Sequence, residues 1–249
     1  MKTSNTLAKQ LTDAWHTVAP PRDNPHGPLP PLLVLLTMVT GLVDAFSYLQ
    51  LGHVFVANMT GNVVFLSFAL GGAAGFVWWS SLLAIFAFVA GAFLGGWIAH
   101  TRGRHRGRHL LIAAGTQTAF VLASFVVALL LSTPYDDPAL VTLIVLLGVG
   151  MGLQNATARA LAVPDLTTTV LTLTITGISA DSSAAGGASS KIGRRLVSIT
   201  SMFLGGLIGV LLIEAHHGAW VLLTATALLA VVTAVAATVA GTAADWTKS

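Results

Sequence analysis

Cysteine is absent from the 249 residues of the chain, and charged residues make up only 8% of it. Without cysteine the chain forms no disulfide framework and no thiolate metal site, and catalytic cysteine chemistry is excluded. The scarcity of charge is matched by a hydrophobic content of 55% and a mean hydropathy of +0.82. This composition predicts an integral membrane protein.

Signatures of enzymes and metal sites are missing as well. The sequence holds no Ser-His-Asp order, no Walker loop and no pair of intramembrane carboxylates, so we predict that the protein is not an enzyme and has no cofactor. The histidines lie at the ends of apolar runs or in loops, without a second ligand cluster at fixed spacing, and no metal site is expected. The net charge of +3 sits almost entirely in loops, where membrane topology explains it better than a nucleic-acid partner does.

Apolar runs follow one another along the chain, and a helix needs about 20 residues to cross the bilayer. The runs cover residues 32–51, 59–70, 76–100, 110–131, 139–161, 170–178, 196–213 and 220–240. The sequence therefore predicts one membrane domain, residues 32–241. A polar, proline-rich segment, residues 1–31, precedes it and should be extended or disordered beyond a candidate surface helix at residues 2–16. Residues 242–249 form a short tail.

The stretch from Gly41 to Val64 is interrupted in an unusual way. Asp44 lies inside an apolar run, and Gly52 to Val56 brings glycine followed by β-branched and aromatic residues, which favour extended chain. Asn58-Met59-Thr60-Gly61-Asn62 then opens a second helical run. The pattern predicts a helix, a short strand-like interruption and a second, shorter helix.

A similar layout returns about one hundred and ten residues later. Gly41–Ala45 aligns with Gly152–Ala156 at an offset of 111, and Phe93–Ile98 aligns with Phe203–Ile208 at an offset of 110, with five of the six latter positions identical. The two offsets agree within one residue. We interpret this as an internal duplication, with repeat 1 at about 32–132 and repeat 2 at about 139–241; chance similarity between apolar helices is the alternative.

Loop charges decide how the two repeats are oriented, because cytoplasmic loops carry the excess of Lys and Arg. Lys2, Lys9 and Arg22 place the N-terminus in the cytoplasm. If all the apolar runs crossed the bilayer, a strongly basic loop would lie outside; its arginines are Arg102, Arg104, Arg106 and Arg108. If the interrupted segments 52–72 and 162–180 return to the side from which they start, every loop obeys the rule and both termini are cytoplasmic.

The predicted fold is therefore an all-α integral membrane protein. It has six transmembrane helices plus two discontinuous, re-entrant strand-helix elements in a 3+3 inverted repeat, a construction found in many secondary transporters. Irregular backbone at membrane depth is tolerated only when it is buried in protein or lines a cavity.

Candidate solute-binding residues are the polar side chains at or near the two interruptions. They are Asp44, Tyr48, Asn58, Thr60, Gly61, Asn62, Gln154, Asn155, Thr168 and Thr172. A carboxylate at bilayer depth is costly and is a functional candidate by default. The alternatives are that Asp44 accepts hydrogen bonds from the interrupted backbone, that Asn58 or Thr60 caps a helix, and that Gln154 and Asn155 join helices.

The segments GLVDAFSYLQLGHVFVANMTGNVV, GLQNATARA and the Thr-rich stretch after Asp165 resemble the YoaK-like family of bacterial membrane proteins, a domain of unknown function. The resemblance covers about residues 32–240 and implies a six-span protein of the bacterial cytoplasmic (inner) membrane, without supplying a substrate. The second copy departs from the first, since Leu173 follows Thr172 where Gly61 follows Thr60. The architecture is also distantly similar to that of nucleobase permeases and sulfate-type anion transporters, which implies a homodimer for a chain of half their size.

The function expected from these features is secondary transport of a small polar or anionic solute, with proton coupling through Asp44. A passive channel for a small solute or ion is one alternative, because aquaporin-like proteins also combine six spans with two re-entrant half-helices. A membrane scaffold that transports nothing is the other.

Overall fold

A computed structural model of the chain describes residues 2–102, 105–131, 133–169, 171–182, 186–187 and 191–248. Arg104 and Val170, which the sequence analysis places in the basic loop and in a short apolar run, lie outside these ranges. The helices within them are α1 (Lys2–Val18), α2 (Leu29–Gln50), α3 (Met59–Leu70), α4 (Trp78–Arg102), α5 (Arg106–Leu130), α6 (Asp137–Leu161), α7 (Leu171–Ala180), α8 (Ile192–Glu214) and α9 (Gly218–Val239).

Six of these helices are long and apolar enough to cross a membrane: α2, α4, α5, α6, α8 and α9. The protein is therefore a multi-pass integral membrane protein with about six spans, as the sequence predicts. The two remaining apolar helices have 12 and 10 residues. At 1.5 Å per residue, α3 and α7 reach only about 18 and 15 Å, well short of a hydrocarbon core of about 30 Å.

Several helix boundaries differ by a few residues from the sequence prediction; α8, for example, begins at Ile192 rather than at residue 196. Helix α2 begins at Leu29 rather than at residue 32 because Pro30 and Pro31 fall in its first turn, where a missing backbone N–H costs no hydrogen bond. The basic loop predicted at residues 101–109 is also shorter, because α4 continues to Arg102 and α5 begins at Arg106. The His105 side chain caps α5 by accepting a hydrogen bond from the backbone N–H of Arg108.

The strands predicted at the two interruptions are wrong. Among the described residues, 51–58 and 162–169 are turns, bends and irregular chain, and no strand is formed. A strand needs a neighbouring strand to pair its backbone groups, and none lies beside either segment. Side chains pair these backbone groups instead: Asp44 and Asn62 accept hydrogen bonds from the backbone N–H groups of residues 55–57.

The long helices pack in three main pairs: α2 with α8, α4 with α6, and α5 with α9. Backbones meet directly in the first two pairs. A Cβ atom at Gly41 would lie 2.2 Å from the carbonyl oxygen of Met202, and one at Gly152 would lie 2.0 Å from that of Phe88. Small residues of this kind allow transmembrane helices to approach closely.

The sequence FLGG, which occurs at residues 93–96 of α4 and 203–206 of α8, takes part in this packing in both helices. A Cβ at Gly95 would lie 2.7 Å from the Cβ of Ala156, and one at Gly205 would lie 2.1 Å from the carbonyl oxygen of Met38. The second glycine of each segment is different. No atom lies within 4 Å of a Cβ built at Gly96, and the nearest atom at Gly206 is 3.9 Å away.

A side-chain contact links the beginning and the end of each interrupted segment. His53, just after α2, donates a hydrogen bond from Nδ1 to the carbonyl of Gly75, just before α4, at 3.1 Å. On the other segment, Arg195 of α8 pairs with Asp165 before α7 at 3.0 Å and with Asp181 after it at 2.8 Å. A single side chain thus joins the two ends of each segment.

The two glycines of α8 offer a test of this packing. We expect Gly205→Ala to lower the free energy of unfolding by about 1–3 kcal/mol, the usual cost of overpacking, because its Cβ would collide with the α2 backbone. Gly206→Ala in the same helix turn is the matched control and should be neutral or slightly stabilising. Thermal unfolding in detergent measures both, and equal midpoints for the two variants would contradict the close α2–α8 contact.

Candidate functional site

Asp44 is the centre of the candidate site. It lies on α2, two turns before the helix ends, and is 6% exposed. Its Oδ1 accepts hydrogen bonds from the backbone N–H of Val56 at 3.2 Å and of Ala57 at 3.0 Å. Its Oδ2 accepts a hydrogen bond from the side-chain amide of Asn58. The carboxylate therefore holds the irregular chain immediately before the N-terminus of α3, where the helix dipole also favours negative charge.

Asn62 supports the same chain from the other side. It lies in the first turn of α3 and is fully buried. Its Oδ1 accepts a hydrogen bond from the backbone N–H of Phe55 at 2.9 Å, and its amide donates to the carbonyl of Phe55. Backbone groups that a neighbouring strand would pair are thus satisfied by one amide side chain.

An aromatic cluster closes the outer side of this arrangement. Tyr48, one helical turn after Asp44, stacks on Phe55 with ring centroids 5.0 Å apart and contacts the ring of His53 edge-on at 5.1 Å. Phe65 of α3 packs on Phe55 at 5.6 Å and on Phe76, just before α4, at 5.3 Å. The rings fix the position of the 52–58 segment against α3.

Asp44, Tyr48 and Asn58 all line one cavity, a groove of about 490 Å³ between α2 and α8. The rest of its wall is apolar and includes Leu49 and Phe203. We call it the α2–α8 groove. It combines a carboxylate, a phenol and an amide at one side with a hydrophobic surface over the remainder, so it suits a solute that has both a polar and an apolar part.

Gln154 belongs to a different place, the core between three spanning helices. Its Oε1 accepts a hydrogen bond from the side-chain amide of Gln117 on α5 at 2.7 Å. Its own amide donates to Thr40 Oγ1 at 2.9 Å and to the carbonyl of Leu36, both on α2, at 3.2 Å. The side chain is 1% exposed and its polar atoms are paired, as expected for an amide that joins helices.

Asn155, the next residue on α6, lines a second groove. Its Oδ1 accepts a hydrogen bond from the hydroxyl of Thr169 at 3.0 Å. This groove, of about 550 Å³, lies between α4 and α6 and also carries Arg159. We call it the α4–α6 groove.

The remaining predicted residues do not join either groove. Thr60 and Thr172 are exposed, and Gly61 lies against the ring of Phe55. Thr168 is buried with a positive φ of 65°, and its hydroxyl has no partner among the described residues. The structure thus brings Asp44, Tyr48 and Asn58 together but does not combine them in one pocket with the predicted residues between Gln154 and Thr172.

Two polar residues at these sites are not among the residues predicted from the sequence: Gln117, which bonds to Gln154, and Arg159, which lines the α4–α6 groove. Gln117 and Arg159 both lie within apolar runs, and the rule that picked out Asp44, namely that polar groups inside spans are functional candidates, applies to both. Within the described part of the chain there is no group of three His, Cys, Asp or Glu residues that could hold a metal ion.

Charged groups collect at the end of the bundle where α5 and α8 begin. Arg106 donates to the carbonyls of Leu161 and Trp246. Burial lowers the pKa of His26, and the nearby cations Arg106, Arg194 and Lys191 lower it further. Three cations thus lie close to His26 at this end of the bundle.

The arrangement of Asn62 yields a prediction on stability. Asn62→Ala should lower the free energy of unfolding by about 1–3 kcal/mol for each backbone group of Phe55 that is left unpaired. The exposed Thr60→Ala, one half-turn away, is the matched control and should have little effect. The unfolding midpoint and the hydrogen-exchange rates of the backbone amides of residues 52–58 are measured for both variants. Amide protection in Asn62→Ala equal to that of the wild type would contradict the role of Asn62 in pairing this backbone.

Comparison with known proteins adds three findings. The model of the family described as "Protein of unknown function (DUF1275)" matches residues 32–235. The UPF0700 transmembrane protein YoaK of Bacillus subtilis (strain 168) is 35% identical over 150 residues, which is 60% of this chain and 65% of that protein. The match thus spans a little under two thirds of the relative's length. The search of solved structures found no match.

Proposed function

The chain belongs to this family of membrane proteins of unknown function, and on that premise we propose that it is a secondary transporter of a small polar solute. The proposal rests on one observation. A buried carboxylate at membrane depth, Asp44, lines an accessible groove together with Tyr48 and Asn58, beside a broken helix. Intramembrane carboxylates in such positions are typical of solute and proton pathways.

The lining of the α2–α8 groove favours one class of solute. An anion would meet the Asp44 carboxylate, so a neutral or cationic group that donates hydrogen bonds fits better there than the anionic solute considered from the sequence. Tyr48 and Asn58 supply further polar partners, and Phe203 and Leu49 contact an apolar part. Proton uptake by Asp44 would weaken its bonds to Val56 and Ala57 and so couple protonation to the position of residues 52–58.

We also propose that α3 and α7 are re-entrant and that the two halves form a 3+3 inverted repeat. Several contacts support this. Asp44 pairs with Asn58, and Asn155 pairs with Thr169, each over 14 residues, and the two pairs are related by the offset of 111. Both short helices have their ends joined by one side chain, and they are too short to span. The two grooves occupy equivalent places, between α2 and α8 and between α6 and α4.

The exposed surface of α3 supports a proposal on the oligomeric state. Several apolar side chains of α3 are exposed on the single chain: Val63, Val64, Phe68 and Leu70. A short helix with irregular flanks cannot face lipid at membrane depth without leaving backbone groups unsatisfied. We therefore propose that a second copy covers α3 in a homodimer, in the bacterial cytoplasmic membrane with both termini cytoplasmic, as the positive-inside rule requires.

Proton coupling is tested by Asp44→Asn. The variant keeps an oxygen that can accept from Val56 and Ala57, so it should fold, but it cannot take up a proton. We expect proton-driven uptake in proteoliposomes to be lost, while Asp137→Asn, the same change at an exposed position at the start of α6, leaves uptake unchanged. Candidate solutes come from a thermal-shift screen of small metabolites.

Retained proton-driven uptake in folded Asp44→Asn would contradict the coupling role. Counterflow separates the alternatives: saturable exchange stimulated by solute on the opposite side supports a transporter, whereas non-saturating flux that ignores it indicates a channel. If no solute stabilises the wild-type protein or crosses with it, a scaffold role replaces transport.

The homodimer is tested by cross-linking, for which the natural lack of cysteine is convenient. Single cysteines at Val63 and Phe68 of α3 should form disulfide-linked dimers in native membranes on mild oxidation. Leu129→Cys on α5, which is also exposed, is the control and should stay monomeric. Cross-linking of Leu129→Cys alone would place the interface elsewhere, and absence of dimers in all three variants would contradict a dimer through α3.

A further inference from the structure

The α4–α6 groove has a form that the proposed transport does not use. Its wall is made of apolar and small residues, including Phe88, Ala92, Gly96 and Ala99 on α4 and Ala156 and Ala160 on α6. The floor is open space, since a Cβ built at Gly96 meets no atom within 4 Å. The α4–α6 groove is therefore open along the side of the bundle.

Its length matches one leaflet of a membrane. From Phe88 to Ala99 the groove follows eleven residues of α4, or about 17 Å at 1.5 Å per residue. Half of a hydrocarbon core of about 30 Å is about 15 Å. The groove is thus long enough for a lipid acyl chain to lie in it from the headgroup region to the bilayer centre.

The guanidinium of Arg159 lies at one end of the α4–α6 groove. Arg159 lies in the last turn of α6, two residues before the helix ends, and its guanidinium has no hydrogen-bond or ion-pair partner in the part of the chain that the structure describes. Because α4 and α6 run parallel, with Ala87 against Gly148 and Gly95 against Ala156, Arg159 lies at the end where α4 finishes. This is the same end as Arg106, which bonds to the carbonyl of Leu161.

The α2–α8 groove serves as an internal contrast. At the offset of 111, Tyr48 and Asp44 take the places of Arg159 and Asn155. One groove thus carries a carboxylate and the other a guanidinium without a partner, on otherwise comparable apolar walls. Charge complementarity selects an anionic ligand for the second groove only.

We propose that the α4–α6 groove binds one anionic phospholipid, with its phosphate on Arg159 and one acyl chain along Ala92, Gly96 and Ala156. Basic pockets between spanning helices on the cytoplasmic side bind anionic headgroups in this way, and a guanidinium forms bidentate bonds with phosphate. The lipid fills the space beside Asn155, and hence beside the Thr169 contact before α7. The site does not depend on the transport proposal.

Native mass spectrometry of the purified chain tests the site. Phosphatidylglycerol and phosphatidylcholine with identical acyl chains are titrated separately, and retained lipid is counted together with the thermal unfolding midpoint. We expect the wild type to retain one phosphatidylglycerol with an affinity about tenfold above that for phosphatidylcholine, the effect of about one charge-assisted contact. Arg159→Gln should abolish the difference between the lipids, and Arg159→Lys should keep part of it.

A second experiment fills the α4–α6 groove with a side chain. Gly96→Leu places a side chain in the open space, so both lipids should lose their retained copy while the lipid-free unfolding midpoint stays at or above that of the wild type. Gly206→Leu fills the α2–α8 groove instead and should leave phosphatidylglycerol retention unchanged.

Several outcomes would overturn the proposal. Equal retention of the two lipids by the wild type would remove the headgroup selectivity, and full retention by Arg159→Gln would remove the role of the guanidinium. Displacement by glycerol phosphate alone, with Gly96→Leu still binding, would indicate a free-anion site. A change from dimer to monomer in Gly96→Leu would show that a second copy of the chain occupies the groove.

Discussion

The hydrogen bonds of Asp44 are the constraint on which the first half of the molecule depends. Irregular backbone inside a membrane has no water to bond to, so each N–H needs a partner within the protein. Asp44 supplies this partner to Val56 and Ala57 and receives the amide of Asn58, while Asn62 serves Phe55. The chain can leave α2, run irregularly through residues 51–58 and begin α3 because two polar side chains pair backbone groups that a neighbouring strand would otherwise pair.

This role and a transport role are compatible, because the same carboxylate both anchors the chain and lines the α2–α8 groove. A group that only anchored the backbone could be enclosed on all sides. A group that only bound solute would have free oxygen atoms. Asp44 has its oxygens engaged by residues 56–58 and still faces a cavity, so a change in its charge would act directly on the segment whose Phe55 and Asn58 also line the groove. That coupling of protonation to backbone position is what secondary transport requires.

The two grooves have similar apolar walls but differ in the polar and charged residues that line them. Close glycine contacts set the distance between α2 and α8, at Gly41 and Gly205, and between α4 and α6, at Gly95 and Gly152. The residues beside them differ: Asp44 and Tyr48 on one side, Asn155 and Arg159 on the other. Two pairs of closely packed helices thus present a carboxylate in one groove and a guanidinium in the other.

Hydrophobic run length and loop charge by themselves determined that this is a membrane protein with about six spans, because the thickness of the bilayer sets the length of a spanning helix. They also singled out Asp44, since a lone carboxylate in an apolar run is costly wherever it lies. Only the tertiary structure decided which polar residues meet. Gln154 and Asn155 are neighbours in sequence, yet one is bonded to Gln117 and Thr40 in the core and the other lines the α4–α6 groove. Successive residues on a helix point about 100° apart, so their partners depend on which helices pack around them, and the strand suggested by Val54 to Val56 gave way because no second strand lay near enough to pair with it.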